Sequence, residues 1–317
     1  MRDEIVGNFY NIYDAIFPAV NILDLTDGIY KSPETTYEQA QSNQLNWLLD
    51  KINCKEGSAV LDIGCGYGTL LEEARKRKAY AEGISISEKH VEFCLKKGFV
   101  VSLLNYKDIN IHKWGNRYDG IIANGSMEHF VKPEEADQAD KIYKNFFKIC
   151  HRIINPESHS RKLATTVIHF NRFYPRDPLA LTKNPFRFPL FSEDFHAAIV
   201  QRAMGCFAPI IGQLEKCAKP LFRLVEEVDG TEDYRKTSEE WLCRVRKGYL
   251  NPLKIPGIFF RLAPFLFRYP SHTITAISFV LTESWNKMFR GENPPMKLLR
   301  QVWEYEDTIF KKRGQGQ

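Results

Sequence analysis

Cysteine is sparse and unpaired in this chain: seven residues, at 54, 65, 94, 150, 206, 217 and 243, with no CxxC among them. An odd count without close pairs argues against a disulfide framework and against a structural zinc site, so no metal is expected. No run of about 18 uncharged apolar residues occurs, which excludes a helical membrane span. The opening stretch, MRDEIVGNFYNIYDAIF, has two acids in its first four residues and no apolar block, unlike a signal peptide. Internal repeats and low-complexity segments are missing too. Neither sign of charge dominates: 44 Lys+Arg face 39 Asp+Glu, giving +5 overall, and the signs alternate along the chain. A dedicated nucleic-acid binder concentrates its cations, so no nucleic-acid partner is expected. What remains is a soluble protein of a reducing compartment, with a cytoplasmic location expected.

What is present supports a full core. Of 317 residues, 44% are hydrophobic and 13% aromatic, against 26% charged, a balance foreign to disorder. The length allows one large α/β domain with additions or two small domains. Residues 57–68, GSAVLDIGCGYG, read as a buried strand, Ala59–Ile63, running into a glycine-rich turn, with the helical pattern TLLEEARKRK next. Strand, glycine turn and helix open a doubly wound sheet. Further strands are expected at Ala79–Ile86, Val100–Leu104, Arg117–Asn124 and Leu163–His169. Helices are expected between them at Glu88–Lys97 and about Asp137–Ile154, the latter with Ile142, Phe146, Ile149, Cys150 and Ile153 at helical spacing. This alternation predicts an α/β fold with a mainly parallel, seven-stranded sheet.

Three segments follow from the pattern. Residues 1–55 form a helical lead-in, with Phe9, Tyr10, Tyr13, Ile16 and Phe17 in its first part and an amphipathic helix over 36–53. Residues 56–172 form the α/β core. Residues 173–317 form a helical cap together with C-terminal strands that complete the sheet. Within that cap a helix is expected at Ser192–Gly205 and more helix to about 247. A strand-like run is expected at Thr273–Thr282 and a charged terminal helix at 294–313.

The turn Gly64-Cys65-Gly66-Tyr67-Gly68 spaces its glycines as GxGxG, whereas a dinucleotide turn reads GxGxxG. Its glycines let backbone approach a ligand where a Cβ would collide. With Asp62 two residues before Gly64, it suits a ligand with an amino-acid tail and no diphosphate. Asp62 would meet an ammonium and the turn amides would face the ligand. Cys65 suits the turn by its small size.

VLDIGCGYG resembles the first motif of class I S-adenosylmethionine-dependent methyltransferases. Gly83-Ile84-Ser85-Ile86-Ser87 is similar to the GLTLS segment of the cyclopropane-fatty-acid synthase family. Two more strings resemble that family: Gly125-Ser126-Met127-Glu128-His129-Phe130, and Asp233-Tyr234-Arg235-Lys236-Thr237 with Trp241. Phe9-Tyr10-Asn11 and Gly28-Ile29-Tyr30 echo its lead-in. The resemblance covers about residues 5–245 and is loose from about 175 to 225.

The resemblance implies S-adenosyl-L-methionine as cofactor, with Asp62, Gly64, Cys65 and Gly66 at its amino-acid tail. Ser85 takes the place of the acid that often meets the ribose. Asn105 and Tyr106 fall at the adenine, Tyr106 offering a ring face, and Asn124 ends the fourth strand beside the ligand. In the synthases a glutamate, a histidine, a tyrosine and a cysteine surround a bound bicarbonate. The resemblance puts the first three at Glu128, His169 and Tyr234. The cysteine's place falls at Gly28, a departure that counts against bicarbonate and cyclopropanation. Each of the three also has a structural reading: a solvated loop acid or the cap of the next helix for Glu128, a satisfied strand-end histidine, and a tyrosine packed on Trp241. His129 is read as structural.

The sequence is compatible with three functions. One is methyl transfer to a small, apolar or lipid-derived metabolite at carbon, oxygen or nitrogen, with Glu128 and His169 as candidate base or positioning groups. Another is cyclopropane synthesis on unsaturated lipid acyl chains, and the third is a non-catalytic cofactor-binding scaffold. The aromatic segment after 172 suggests cover for an apolar acceptor. Residues 258–269, IFFRLAPFLFRY, have the composition of a peripheral membrane contact, against which stands packing on the cap with Pro264 interrupting a long helix. Oligomeric state is not legible.

Overall fold

A computed structural model describes residues 11–307 apart from 14, 23, 173, 176, 206 and 250. Phe9, Tyr10 and Cys206, and the part of the expected terminal helix beyond 307, therefore lie outside the described residues. The strands are β1 (Ala59–Ile63), β2 (Tyr80–Ser85), β3 (Val100–Leu103), β4 (Gly120–Asn124), β5 (Lys162–Phe170), β6 (Phe222–Asp229) and β7 (Met296–Tyr305). They form one seven-stranded sheet in the order β3-β2-β1-β4-β5-β7-β6. β1 to β5 run parallel, and β7 lies antiparallel between β5 and β6. The winding direction reverses between β1 and β4, and open α/β sheets bind ligands at the carboxyl ends of strands at such a switch point.

The longer helices are α1 (Tyr37–Lys51), α2 (Thr69–Lys76), α3 (Glu88–Lys96), α4 (Ala139–Ile153), α5 (Glu193–Met204), α6 (Thr231–Tyr249), α7 (Ile255–Arg268) and α8 (Pro270–Leu281). α1 starts on a capping box in which Thr36 accepts from the Gln39 amide and Gln39 reaches back to the Thr36 amide. It buries Ala40, Leu45, Leu48 and Leu49, the stripe its sequence spacing predicts. α4 buries Phe146, Phe147, Cys150 and Ile153 on the sheet. The buried Trp303 of β7 ties the two through its ring contact with Phe147 at 5.2 Å, while its Nε1–H donates to Thr165 Oγ1 at 3.0 Å.

Four expectations beyond residue 205 need correction. Residues 294–313 are not a terminal helix: 296–305 form β7. Apolar residues at 296, 299, 302 and 303 mimic helical spacing, but a strand buried on both faces needs no alternation, and pairing on both edges decides. Thr273–Thr282 is not a strand: Thr273–Leu281 lies in α8, which opens on Pro270, and Thr282 is its C-cap. Its threonines carry strand propensity, yet Thr273, Thr275 and Thr282 each donate to the carbonyl four residues back. Thr273, Ala276 and Phe279 are buried at three-residue intervals, one helical face. Helix is not continuous to 247, because FRLVEEVD forms the edge strand β6. Nor does Pro264 interrupt α7, which runs through it. Pro264 is exposed, so the Phe260 carbonyl that loses its partner can be met by water.

Candidate active site

A cavity of about 450 Å³ opens at the switch point, within the size range of small-molecule sites. Its walls come from the turns after β1, β2, β3 and β4, from the lead-in, and from the cap. Asp62, Gly64, Cys65, Gly66, Ser85, Asn105, Tyr106, Asn124, Glu128 and Tyr234 all line it. His169 does not. It lies fully buried on β5 opposite Lys297 of β7, its Nδ1 2.9 Å from the Val167 carbonyl oxygen. Neighbouring strand residues face opposite sides, and Ile168 is the one on the cavity. The expectation that His169 joins Glu128 is thereby corrected. Burial also pushes its pKa down to about 4, leaving a neutral core imidazole.

The glycine turn has a local logic. Gly64 has φ +89°, and a Cβ there would lie 2.6 Å from the Ser126 Cβ. Gly66 has φ +50° and open space where its Cβ would be, on the cavity side. The turn amides do not all face a ligand: those of Gly64 and Cys65 both donate to the Ile84 carbonyl, and that of Gly68 to Cys65. Close backbone approach therefore falls to Gly66. Cys65 packs on β2, its Sγ 2.7 Å from where a Cβ on Gly83 would stand, so a larger side chain does not fit.

Asp62 is buried, and burial pushes its pKa up to about 8, with Asp24 adding to the rise. Asp24, on the lead-in loop, also lines the cavity and accepts from Thr69 Oγ1 and from the Thr26 amide. Two carboxyl groups facing one cavity, with the pKa of Asp62 raised, suit a cation there. Ser85 Oγ accepts from the Ser87 amide at 3.1 Å, which leaves its O–H to donate. Asn105 Oδ1 accepts from the Lys107 amide at 3.1 Å. Tyr106 offers less than expected: its ring is buried against Phe130 at 4.2 Å and Phe146 at 5.5 Å. Asn124 Oδ1 accepts from Gln44 Nε2 at 3.4 Å.

Glu128 lies in a short 3-10 turn, Met127–His129, after β4. It is neither solvated nor a helix cap. Its Oε1 accepts from the Ile168 amide at 2.8 Å, while the buried Oε2 has no hydrogen-bond partner among the described residues. Burial raises its pKa to about 7 against the pull of backbone amides, and Asp27 raises it further. Tyr234 packs against Phe289 at 4.7 Å, Trp285 at 5.6 Å and Trp241 at 6.1 Å. With Tyr13, Phe279 and Trp285 it forms an aromatic wall. His129 is held by a backbone hydrogen bond with Met204, and burial lowers its pKa to about 4.

Behind Glu128 lies a polar hub that local motifs did not reveal. Arg300 of β7 is 1% exposed and donates to Gln44 Oε1 at 2.6 Å, Asp233 Oδ2 at 3.0 Å, Asp27 Oδ2 at 3.1 Å and the Gly28 carbonyl at 2.6 Å. Asp27 lines the cavity, and burial holds its pKa up at about 6 in spite of Arg300. Gly28, which the resemblance puts in the place of the synthases' cysteine, donates its amide to Thr237 Oγ1 at 3.1 Å. A Cβ on it would lie 2.7 Å from the Ala40 Cβ, so that position has no room for a thiol.

A family model described as mycolic acid cyclopropane synthetase matches residues 6–185, more than half of the chain. Cyclopropane mycolic acid synthase 2 of Mycobacterium leprae is 28% identical over 146 residues, 44% of this chain and 46% of that protein, so the match spans less than half of the relative. Cyclopropane mycolic acid synthase 1 of Mycobacterium tuberculosis is 23% identical over 282 residues, 84% of this chain and 93% of that one. Among solved structures, the cyclopropane synthase MmaA2 of Mycobacterium tuberculosis superposes with TM-score 0.69 at 17% identity, covering 95% of this chain and 97% of that one. A coclaurine N-methyltransferase bound to N-methylheliamine and SAH superposes with TM-score 0.71 at 16% identity, covering 95% and 82%. At such identities the superpositions speak for the Rossmann-like methyltransferase fold. By the match along its first 185 residues, this chain belongs to the mycolic acid cyclopropane synthetase family, a branch of the S-adenosylmethionine-dependent methyltransferases.

Proposed function

We propose that this chain transfers a methyl group from S-adenosylmethionine to a small apolar or lipid-derived acceptor, with Glu128 as the base or positioning group. The observation that carries the reading is Glu128 itself: a buried carboxyl, anchored through one oxygen, with the other unpartnered in the cavity that the Asp62–Gly66 turn shares. When bound, S-adenosylmethionine supplies a methyl already activated by its sulfonium. Asp62 and Asp24 would hold its ammonium, Gly66 admits its tail, and Ser85, Asn105, Tyr106 and Asn124 would border the nucleoside. The protein's own work is then alignment, exclusion of water and custody of one proton.

The Ile168 amide fixes the Glu128 carboxyl in place, leaving Oε2 to accept the acceptor's proton. A pKa near 7 suits that exchange at neutral pH. Tyr234, Trp285 and Phe279 give the acceptor apolar walls. The relatives that are cyclopropane synthases support a second reading, cyclopropane synthesis on an unsaturated acyl chain. Against it stand the glycine at 28 and its lack of room, which remove one ligand of the bicarbonate site.

Glu128→Gln decides the role. Turnover, followed as S-adenosylhomocysteine release, is expected to fall roughly 10²–10⁴-fold with little change in cofactor affinity. The wild-type rate should fall as pH drops through about 7, because the base must be ionised, and this limb should vanish in the variant. Equal turnover in the two proteins would sink the assignment.

A further inference from the structure

Between Glu240 and Glu283 the sequence contains no acid, yet it carries Arg244, Arg246, Lys247, Lys254, Arg261 and Arg268. Arg244 and Arg246 are neutralised by Glu38, Glu240 and Glu283. Lys254, Arg261 and Arg268 have no carboxylate partner among the described residues, Lys254 donating instead to the Ala19 carbonyl at 3.1 Å. Their seven-residue spacing aligns them along one edge of α7, two turns apart. Beside that edge lie large apolar side chains in water: Phe260 is 81% exposed, Phe267 90% and Phe259 64%, with Leu253 at 89% just before the helix. The inner face of α7 is different, for Ile258 and Leu262 are buried against Ile12, Ile16 and Val20 of the lead-in. The helix is thus apolar on two faces, of which the protein covers one.

We propose that the α7–α8 hairpin docks on an anionic lipid membrane, with Phe260 and Phe267 among the acyl chains and Lys254, Arg261 and Arg268 at the phosphates. An apolar stripe edged by cations that no carboxylate neutralises has the chemistry of a helix lying in a membrane interface. A second copy of this chain fits worse, since isologous pairing brings the same cations toward one another. Exposed Ile274 and Leu281 of α8 extend the apolar surface. The opposite side of α8 reaches the active-site cavity: Phe279 lines it and meets the Tyr13 ring at 5.9 Å, and Tyr13 Oη donates to the Ala276 carbonyl at 3.2 Å. Docking therefore sets the cavity wall one helix away from the bilayer.

Co-sedimentation of the full chain with vesicles tests this directly. The protein should pellet with vesicles of equal parts phosphatidylcholine and phosphatidylglycerol, and stay in solution with phosphatidylcholine alone. Arg261→Gln with Arg268→Gln should weaken binding about fivefold per cation removed, about 25-fold together. Phe260→Ser with Phe267→Ser should abolish pelleting. Both variants alter exposed side chains, and near-ultraviolet circular dichroism matching wild type will verify their fold. Wild type left in solution with the mixed vesicles, equal pelleting on both kinds, or either variant binding as tightly as wild type would overturn the proposal. So would self-association in sedimentation velocity that the phenylalanine variant removes, since the patch would then belong to a second copy.

Discussion

Asp62 and Glu128 are both buried acids with raised pKa values, at about 8 and about 7, and burial is the leading cause for each. An isolated carboxylate pays a desolvation cost that only a partner cation or a proton removes. For a carboxyl whose folded pKa lies above its unfolded value of 3.8, the folded state holds the proton more tightly. Its contribution to stability then declines as pH rises from about 4 to about 8. Replacing Asp62 by Asn removes that decline. Asp62→Asn should therefore stabilise the cofactor-free protein more at pH 8 than at pH 4, while weakening S-adenosylmethionine binding. Thermal unfolding at the two pH values measures the first effect and calorimetry the second. A variant that binds the cofactor as tightly as wild type would show that Asp62 does not meet the ammonium.

At the scale of elements, one arginine joins most of the site. Arg300 stands on β7, Asp27 and Gly28 on the lead-in, Gln44 on α1 and Asp233 on α6, and Gln44 continues to Thr166 of β5 at 2.9 Å. The lead-in and the cap are thus pinned to the sheet through a group with no access to solvent. Breaking a buried ion pair from one side leaves the other charge unpaired, typically at about 3–5 kcal/mol. Arg300→Leu should cost that much in urea unfolding, because Asp27 and Asp233 both lose their partner. A loss under about 1 kcal/mol would mean that the hub contributes little and the elements are held by apolar packing alone.

Across the whole molecule, what was legible followed the range of the interactions. The parallel core could be read because β1, its turn and α2 are contiguous and carry their own apolar spacing and glycines. The place of Asp62, Ser85 and Glu128 at the cavity was legible because Asp62 and Ser85 lie toward the carboxyl ends of β1 and β2 and Glu128 follows β4, the ends at which open α/β sheets bind ligands. Arg300, Asp27 and Asp24 could not, since nothing near them in sequence announces a partner; Arg300 and Asp27 are 273 residues apart. His169 was misplaced by one strand position, and a shift of one reverses which face a side chain occupies. β7 and α8 were misassigned for a related reason. A strand buried on both faces and a helix rich in threonine both depart from the simple periodicities, and tertiary pairing decides them.

Incubation of the protein with methyl-labelled S-adenosylmethionine and a lipid and metabolite extract, followed by mass spectrometry, tests methyl transfer most directly. The expected result is S-adenosylhomocysteine in equal amount to a labelled product one methylene heavier than its precursor, with both lost in Glu128→Gln. Tight cofactor binding with no S-adenosylhomocysteine formed in any extract would contradict it.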